Sequence, residues 1–292
     1  MTGTVVKGIG GFYFVYDGHN VVMGKARGNL KRDKEIIYVG DIVDFEIDQN
    51  DSDGECVINK VVERKNFLSR PPVSNLDTLV VVFSLVNPAV NYPVVDKLIA
   101  ACEQAGIEPA VCITKADLVD PEELSRVASV YSDIYPTACV NALNGERLDK
   151  LEDIIRGKNV ALAGPSGVGK STISNHLVKD LGIEIETGDI SDKTGRGKHT
   201  TRHVEIFALG DGTHLYDTPG FTSLELQETE PKEIRELFRE FHRYDALCRY
   251  RDCMHINEPD CAVKDALENG KISKSRYDSY IIMTEEAEKW LK

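Results

Sequence analysis

The chain has 292 residues, of which 41% are hydrophobic and 28% charged. At ~100–200 residues per domain this predicts a globular protein of about two domains, with no apolar run of the ~18 residues a membrane span needs and no signal peptide over Met1–Gly11. The formal net charge of −13, taken over the whole chain, argues against a nucleic-acid binder, whose usual footprint is a basic domain.

Residues 1–70 carry short β-like runs at Gly11–Tyr16, Val21–Gly24, Ile36–Val39, Ile42–Ile47 and Cys56–Val62, divided by turn signals such as Asp17-Gly18-His19-Asn20. Short strands at this spacing predict a small barrel, SH3-like or OB-like. Pro71-Pro72 breaks the pattern and reads as a linker. From Thr78 strand and helix alternate: strands at Thr78–Val86, Pro109–Thr114, Thr137–Val140 and Asn159–Ala163, helices at Val94–Ala105, Glu122–Ser132 and Leu148–Ile155. Such a βα repeat predicts a mostly parallel sheet. Strands stop after about Ser223. Pro231–Tyr244 reads as one amphipathic helix, with Ile234, Leu237, Phe238 and Phe241 on one face. Ala262–Glu268 and Ser273–Leu291 read as two more.

Gly164-Pro165-Ser166-Gly167-Val168-Gly169-Lys170-Ser171 fits G-x-x-x-x-G-K-[ST], between the strand Asn159–Ala163 and a helix over Ser171–Leu181 that continues through Thr172. Glycines let backbone N–H groups curl around phosphate oxygens, and the helix N-terminus adds its positive end. Lys170 is placed to reach the β- and γ-phosphates and Ser171 to ligate Mg²⁺. Asp217-Thr218-Pro219-Gly220 follows the apolar strand Thr213–Tyr216 and fits the D-x-x-G of GTPases, with Asp217 toward Mg²⁺ and the Gly220 amide toward the γ-phosphate. Thr114-Lys115-Ala116-Asp117 ends the strand at Pro109 and fits [NT]-K-x-D. The Asp117 carboxylate can accept from guanine N1–H and the 2-amino group together, a donor pair adenine lacks, so the expected nucleotide is GTP. The order is unusual. Asp117 precedes Gly164, and Asp217 follows both, so the sheet of an ordinary small GTPase is read with its chain ends moved.

Cys248, Cys253, His255 and Cys261 read C-x₄-C-x-H-x₅-C. Three thiolates and an imidazole make a closed tetrahedral set for one structural Zn²⁺ per chain. His242 and Cys139 are the alternative ligands. The four scattered cysteines, Cys56, Cys102, Cys112 and Cys139, read first of all as buried small hydrophobes.

The permuted order, the barrel ahead of it and the Cys/His cluster behind it together resemble the RsgA (YjeQ/YloQ) family of circularly permuted bacterial GTPases, over essentially the whole chain. The resemblance implies an OB-fold over residues 1–70, a permuted P-loop GTPase over 71–225 and an α-helical zinc-binding domain over 226–292. It implies GTP hydrolysis to GDP and phosphate, stimulated by the small ribosomal subunit during late maturation of that subunit, with contact to its ribosomal RNA. His199-Thr200-Thr201 matches the family's switch; one of the two threonines would ligate Mg²⁺, Thr201 being the residue assigned here. Asn141-Ala142 stands where the family has Ser-Ala behind the guanine. Phe221 stands where Ras-type enzymes carry the Gln that orients the attacking water. Slow intrinsic hydrolysis is therefore expected, with His199 as the catalytic group a partner brings into place.

Charge resolved by segment is −1 over 1–70, −9 over 71–225 and −3 over 226–292. Basic residues gather locally: Lys25, Arg27, Lys31, Arg32 and Lys34 in a barrel loop, Lys193, Arg196, Lys198 and Arg202 near His199, and Arg235, Arg239, Arg243, Arg249 and Arg251 near the cysteines. Solvated faces with ordinary ion pairs would account for each alone. Beside an OB-like barrel the first set is read as the RNA contact. The expected protein is a cytoplasmic monomer that binds GTP and GDP and no membrane. The competing reading is a P-loop small-molecule kinase with fused binding domains.

Overall fold

The structure, a computed structural model, describes residues 1–28, 30, 35–47, 55–183, 185, 204–217, 224 and 226–290. Its contacts gather into two compact units. One comprises Met1–Val80, Ile155–Ser166 and Lys170–Ser223, the other Val81–Ile154, Gly167–Gly169 and Leu224–Lys292.

In the first unit, β1 (Thr2–Ile9), β2 (Phe12–Tyr16), β3 (Val21–Ala26), β4 (Ile42–Ile47) and β5 (Cys56–Val61) form the barrel. Gly10 and Gly11, both at positive φ, make the two-residue turn that pairs Ile9 with Phe12. The sheet closes where β1 also pairs with β4, at Gly3 opposite Val43. Alternate inward side chains, Val5, Val15, Val43, Phe45 and Ile58, are buried as its core. Two expectations are corrected. Ile36–Val39 is not a strand; only Val39 bridges to Val73. The missing barrel strand is β1. Pro71-Pro72 is not an open linker either, because it turns the hairpin of β6 (Phe67–Ser69) and β7 (Pro72–Ser74).

The same unit holds the start of β8 (Thr78–Ser84), then β11 (Asn159–Ala163), β12 (Glu205–Gly210) and β13 (Thr213–Asp217). Their order is β8-β11-β13-β12-β1, so the sheet that leads into the phosphate loop runs on into the barrel. β11 and β13 are parallel, whereas β12 is antiparallel to both β13 and β1. The helix after the phosphate loop, α4 (Lys170–Leu177), ends earlier than its apolar spacing suggested and continues as a 3₁₀ turn over Lys179–Leu181.

In the second unit β8 neighbours β9 (Glu108–Thr114), which pairs in parallel with β10 (Thr137–Cys139). Around them lie α1 (Tyr92–Gln104), α2 (Pro121–Ser132) and α3 (Leu148–Ile155). Asp120 caps α2, accepting from the Glu122 and Glu123 amides, with Pro121 at the first helical position. The C-terminal part adds α5 (Pro231–Glu236), α6 (Ala262–Glu268) and α7 (Lys274–Trp290). The expected helix Pro231–Tyr244 therefore breaks after Glu236. Its apolar residues Ile234, Phe238 and Phe241 are still fully buried. Beyond the break the side chains pair with other elements. Arg239 forks onto Glu108 at 2.9 and 3.0 Å, and Glu240 takes Arg276 of α7 at 2.8 and 3.1 Å. Arg276 also donates to Asp96 of α1 at 2.9 Å, and Tyr131 of α2 donates to the same carboxylate at 3.1 Å.

Candidate functional site

The phosphate loop leaves β11 at Gly164 and enters α4 at Lys170. Gly164, Gly167 and Gly169 all take positive φ, the backbone that side-chain-bearing residues avoid. Ser166 and Gly167 are exposed, Val168 is buried, and Pro165, Gly169, Ser171 and Thr172 are half-buried. The Lys170 ammonium donates to the Gly164 and Pro165 carbonyls, both at 2.7 Å. It thus folds over its own loop, where an anion would compete for it.

The Thr114 to Asp117 segment ends β9. Buried Thr114 donates from Oγ1 to the Val168 carbonyl at 2.6 Å. Lys115, held at φ 55°, donates from Nζ to the Gly167 carbonyl at 2.9 Å and also to the Asn87 carbonyl. The Lys115 stem is therefore spent on bracing the middle of the phosphate loop. Asp117 sits in the 3₁₀ turn Ala116–Leu118 and is exposed, free to accept from a base. Asn141 and Ala142 follow β10. The Ala116 amide donates to the Val140 carbonyl at 3.3 Å, which brings the two loops together. The Asn141 side chain accepts from the Leu143 amide at 3.1 Å and so shapes its own turn.

Asp217 ends β13, opposite Glu205 of β12. Burial raises its carboxyl above its ordinary value, and the Glu205 charge adds to that. His199, Thr200, Thr201 and Gly220 lie outside the described residues, as do Lys31, Arg32 and Lys34. The other two barrel-loop cations are engaged locally. Lys25 pairs with Glu55 at 3.1 Å over the Phe12 ring, and Arg27 donates to Asn59 at 2.7 Å. Near the cysteines, Arg235 pairs with Glu236 and Arg249 with Asp260, so part of that basic set is neutralised internally.

The ligand atoms of Cys248, Cys253, His255 and Cys261 all lie within 4.8 Å of one another, and this group could hold a metal ion. His255 Nδ1 is 3.3 Å from the Cys261 sulfur and 3.6 Å from that of Cys248. Its other nitrogen, Nε2, is 2.9 Å from the Asp245 carboxylate, an ion-pairing distance. Burial pushes the Cys253 thiol up to about 12, raises that of Cys261, and lowers the basicity of His255. Packed sulfurs that resist ionisation on their own fit a site completed by a soft cation. Tyr277 and Tyr280 of α7 hold the loop from behind, donating to the His255 and Met254 carbonyls at 2.6 and 2.5 Å. His242 belongs to a separate group with Glu236 and Asp245, and Cys139 lies on β10. Asp245, Tyr277 and Tyr280 were not legible as site residues, because no spacing rule marks a support reached across a fold.

Residues 61–227 match the RsgA GTPase family, and residues 2–55 match the RsgA N-terminal domain. The chain belongs to the RsgA GTPase family. It is a GTP hydrolase. Among its relatives is the small ribosomal subunit biogenesis GTPase RsgA of Caldanaerobacter subterraneus, 41% identical over 285 residues, covering 97% of this chain and 95% of that protein. A second, from Listeria monocytogenes, is RsgA 2, 42% identical over 289 residues, covering 98% of this chain and 97% of that one. The crystal structure of YjeQ from Thermotoga maritima superposes with a TM-score of 0.82 at 32% identity, covering 98% of each chain. That of YloQ, a circularly permuted GTPase, gives 0.79 at 31%, covering 99% of this chain and 95% of that one. The barrel, the GTPase core and the C-terminal Cys/His region are thus those of a family whose GTPase is permuted. Among the described residues no helix is long and apolar enough to cross a membrane.

Proposed function

We propose that this GTPase acts on the small ribosomal subunit late in its maturation, engaging ribosomal RNA through the barrel and leaving once GTP has become GDP and phosphate. The observation that carries the reading is the permuted set of Asp117, Gly164–Ser171 and Asp217 on a chain whose relatives, over nearly its full length, bear the name of small-subunit biogenesis GTPases. The domain limits remain those read from sequence: 1–70, 71–225 and 226–292. Thr114, Lys115 and Asp117, with Asn141 and Ala142, select and back the guanine. Gly164 to Thr172 cradle the phosphates, Lys170 neutralising the charge that develops on them. Thr200, Thr201 and Gly220 face the γ-phosphate. Ser171, Thr201 and Asp217 would hold Mg²⁺, which supplies charge neutralisation at the phosphates when bound. Cys248, Cys253, His255 and Cys261 would hold one structural Zn²⁺. Lys25, Arg27, Lys31, Arg32 and Lys34 form the RNA contact. The protein works as a monomer in the cytoplasm.

Phe221 cannot orient water, so His199 supplies the polar group when the subunit is bound. Two measurements test this. GTP and ATP turnover are followed with and without purified small subunits; GTP-only turnover that rises with subunits is expected, and turnover indifferent to subunits overturns the reading. His199→Ala should lower the stimulated rate by about 10²–10³-fold while nucleotide affinity stays. An unchanged stimulated rate removes His199 from the reaction.

A further inference from the structure

Three charged residues stand in one row across three strands. Lys7 of β1 is the direct partner of Glu205 of β12, and Glu205 is the direct partner of Asp217 of β13. Residues directly opposite in antiparallel strands project to the same face, with Cβ atoms roughly 5 Å apart. The row therefore reads cation, anion, anion from the barrel to the loop Asp217 begins. The Lys7 ammonium closes on the Glu205 carboxylate at 2.8 Å. Like charges directly opposite are unfavourable in a sheet, so Glu205 beside Asp217 calls for a counter-charge, and Lys7 is that charge.

We propose that Lys7 and Glu205 are positioning residues for the GTP site: by neutralising the carboxylate beside Asp217, the barrel sets how firmly the site grips Mg²⁺ and the nucleotide. The proposal rests on the reading of Asp217 as an Mg²⁺-holding residue. Its physical content is a sign pattern. Without the Lys7 charge, Glu205 adds an uncompensated negative charge next to Asp217, and a divalent cation is held more tightly. Without the Glu205 charge, Lys7 is the uncompensated group, and the cation is held more weakly. The second effect is the larger, since Glu205 stands directly beside Asp217 while Lys7 is two strands away, and both are modest because both side chains are partly in water. Losing both charges cancels the two effects. A row that served only to hold strands together would weaken the site in every variant.

The test measures release of a fluorescent GDP analogue from the full-length protein against Mg²⁺ concentration, at low ionic strength. In Lys7→Met the Mg²⁺ needed for half-maximal retention should fall about two- to threefold. In Glu205→Gln it should rise about three- to tenfold. The double variant and Lys7→Arg should return to within about twofold of the wild type. Single variants that move in the same direction, or not at all, overturn the proposal. Should Lys7→Met not fold, the near-isosteric Glu205→Gln decides alone, and an unmoved Mg²⁺ dependence there overturns it. Wild-type release that ignores Mg²⁺ overturns the reading of Asp217 itself, and the proposal with it.

Discussion

Asp217 costs the folded chain something while no cation is bound. Its carboxyl is raised by burial and by Glu205, so folding favours the protonated form. Such a cost is absent below the unfolded carboxylate range, where the group is protonated in both states. It is fully present above the folded value. Asp217→Asn should therefore raise the thermal midpoint of the nucleotide-free protein at neutral pH, by about 1–3 °C once solvent screening is allowed for. The gain should vanish in acid, and GTP hydrolysis should be lost with the carboxylate. A lower midpoint at neutral pH would contradict the argument. This residue also shows what sequence can carry. Asp217, Lys170 and Cys248 are legible because chemistry demands fixed residue types at fixed spacing. Glu205 is not, because its role comes from lying opposite Asp217 and Lys7 on neighbouring strands, and a register is invisible until the strands are paired.

At the scale of elements, apolar period does not by itself fix where a helix ends, as the segment after Pro231 shows. Its 3.6-residue pattern predicts a continuous helix to Tyr244. Burial of Ile234, Phe238 and Phe241 follows that pattern, yet the backbone leaves the helix at Leu237, and beyond it Arg239 and Glu240 pair with Glu108 and Arg276. The β1 strand was missed for a related reason. Gly3 and Gly8 dilute its alternation, and its identity comes from partners β2, β4 and β12. The Arg276 cluster is the strongest case. Arg276, Asp96 and Glu240 are almost wholly out of water, and the guanidinium also lies 4.7 Å over the Phe238 ring. Removing the cation leaves two buried carboxylates uncompensated. Arg276→Met should cost about 3–5 kcal/mol of stability, far more than a surface pair. Urea unfolding followed by Trp290, the single tryptophan, reads this directly, since Trp290 ends the helix that carries Arg276. A loss below about 1 kcal/mol would show the cluster to be ornamental.

For the molecule as a whole, net charge is the wrong scale and connectivity the right one. The −13 belongs mostly to residues 71–225, so the barrel and the C-terminal region stay near neutral and keep local cations. Connectivity has a sharper consequence within the second unit. The Cys/His loop is held by Tyr277 and Tyr280 of α7, α7 is held to α1 by Arg276 and by Lys97 with Glu286 at 2.6 Å, and α1 leads into β9, which ends at Thr114 just before the turn that carries Asp117. A metal at the cysteines would then stabilise more than its own loop, because binding free energy at such a site is folding free energy. Elemental analysis should find one zinc per chain. Stripping it with a strong chelator should lower the thermal midpoint and raise amide exchange in α7, α1 and β9 together, as parts of one cooperative unit. GTP affinity should fall in step, since Asp117 lies in the turn that follows β9, while the barrel strands keep their protection. Exchange that rises only between Cys248 and Cys261 would show that the cysteine loop folds on its own account and that the buried arginine couples nothing to the guanine-reading strand.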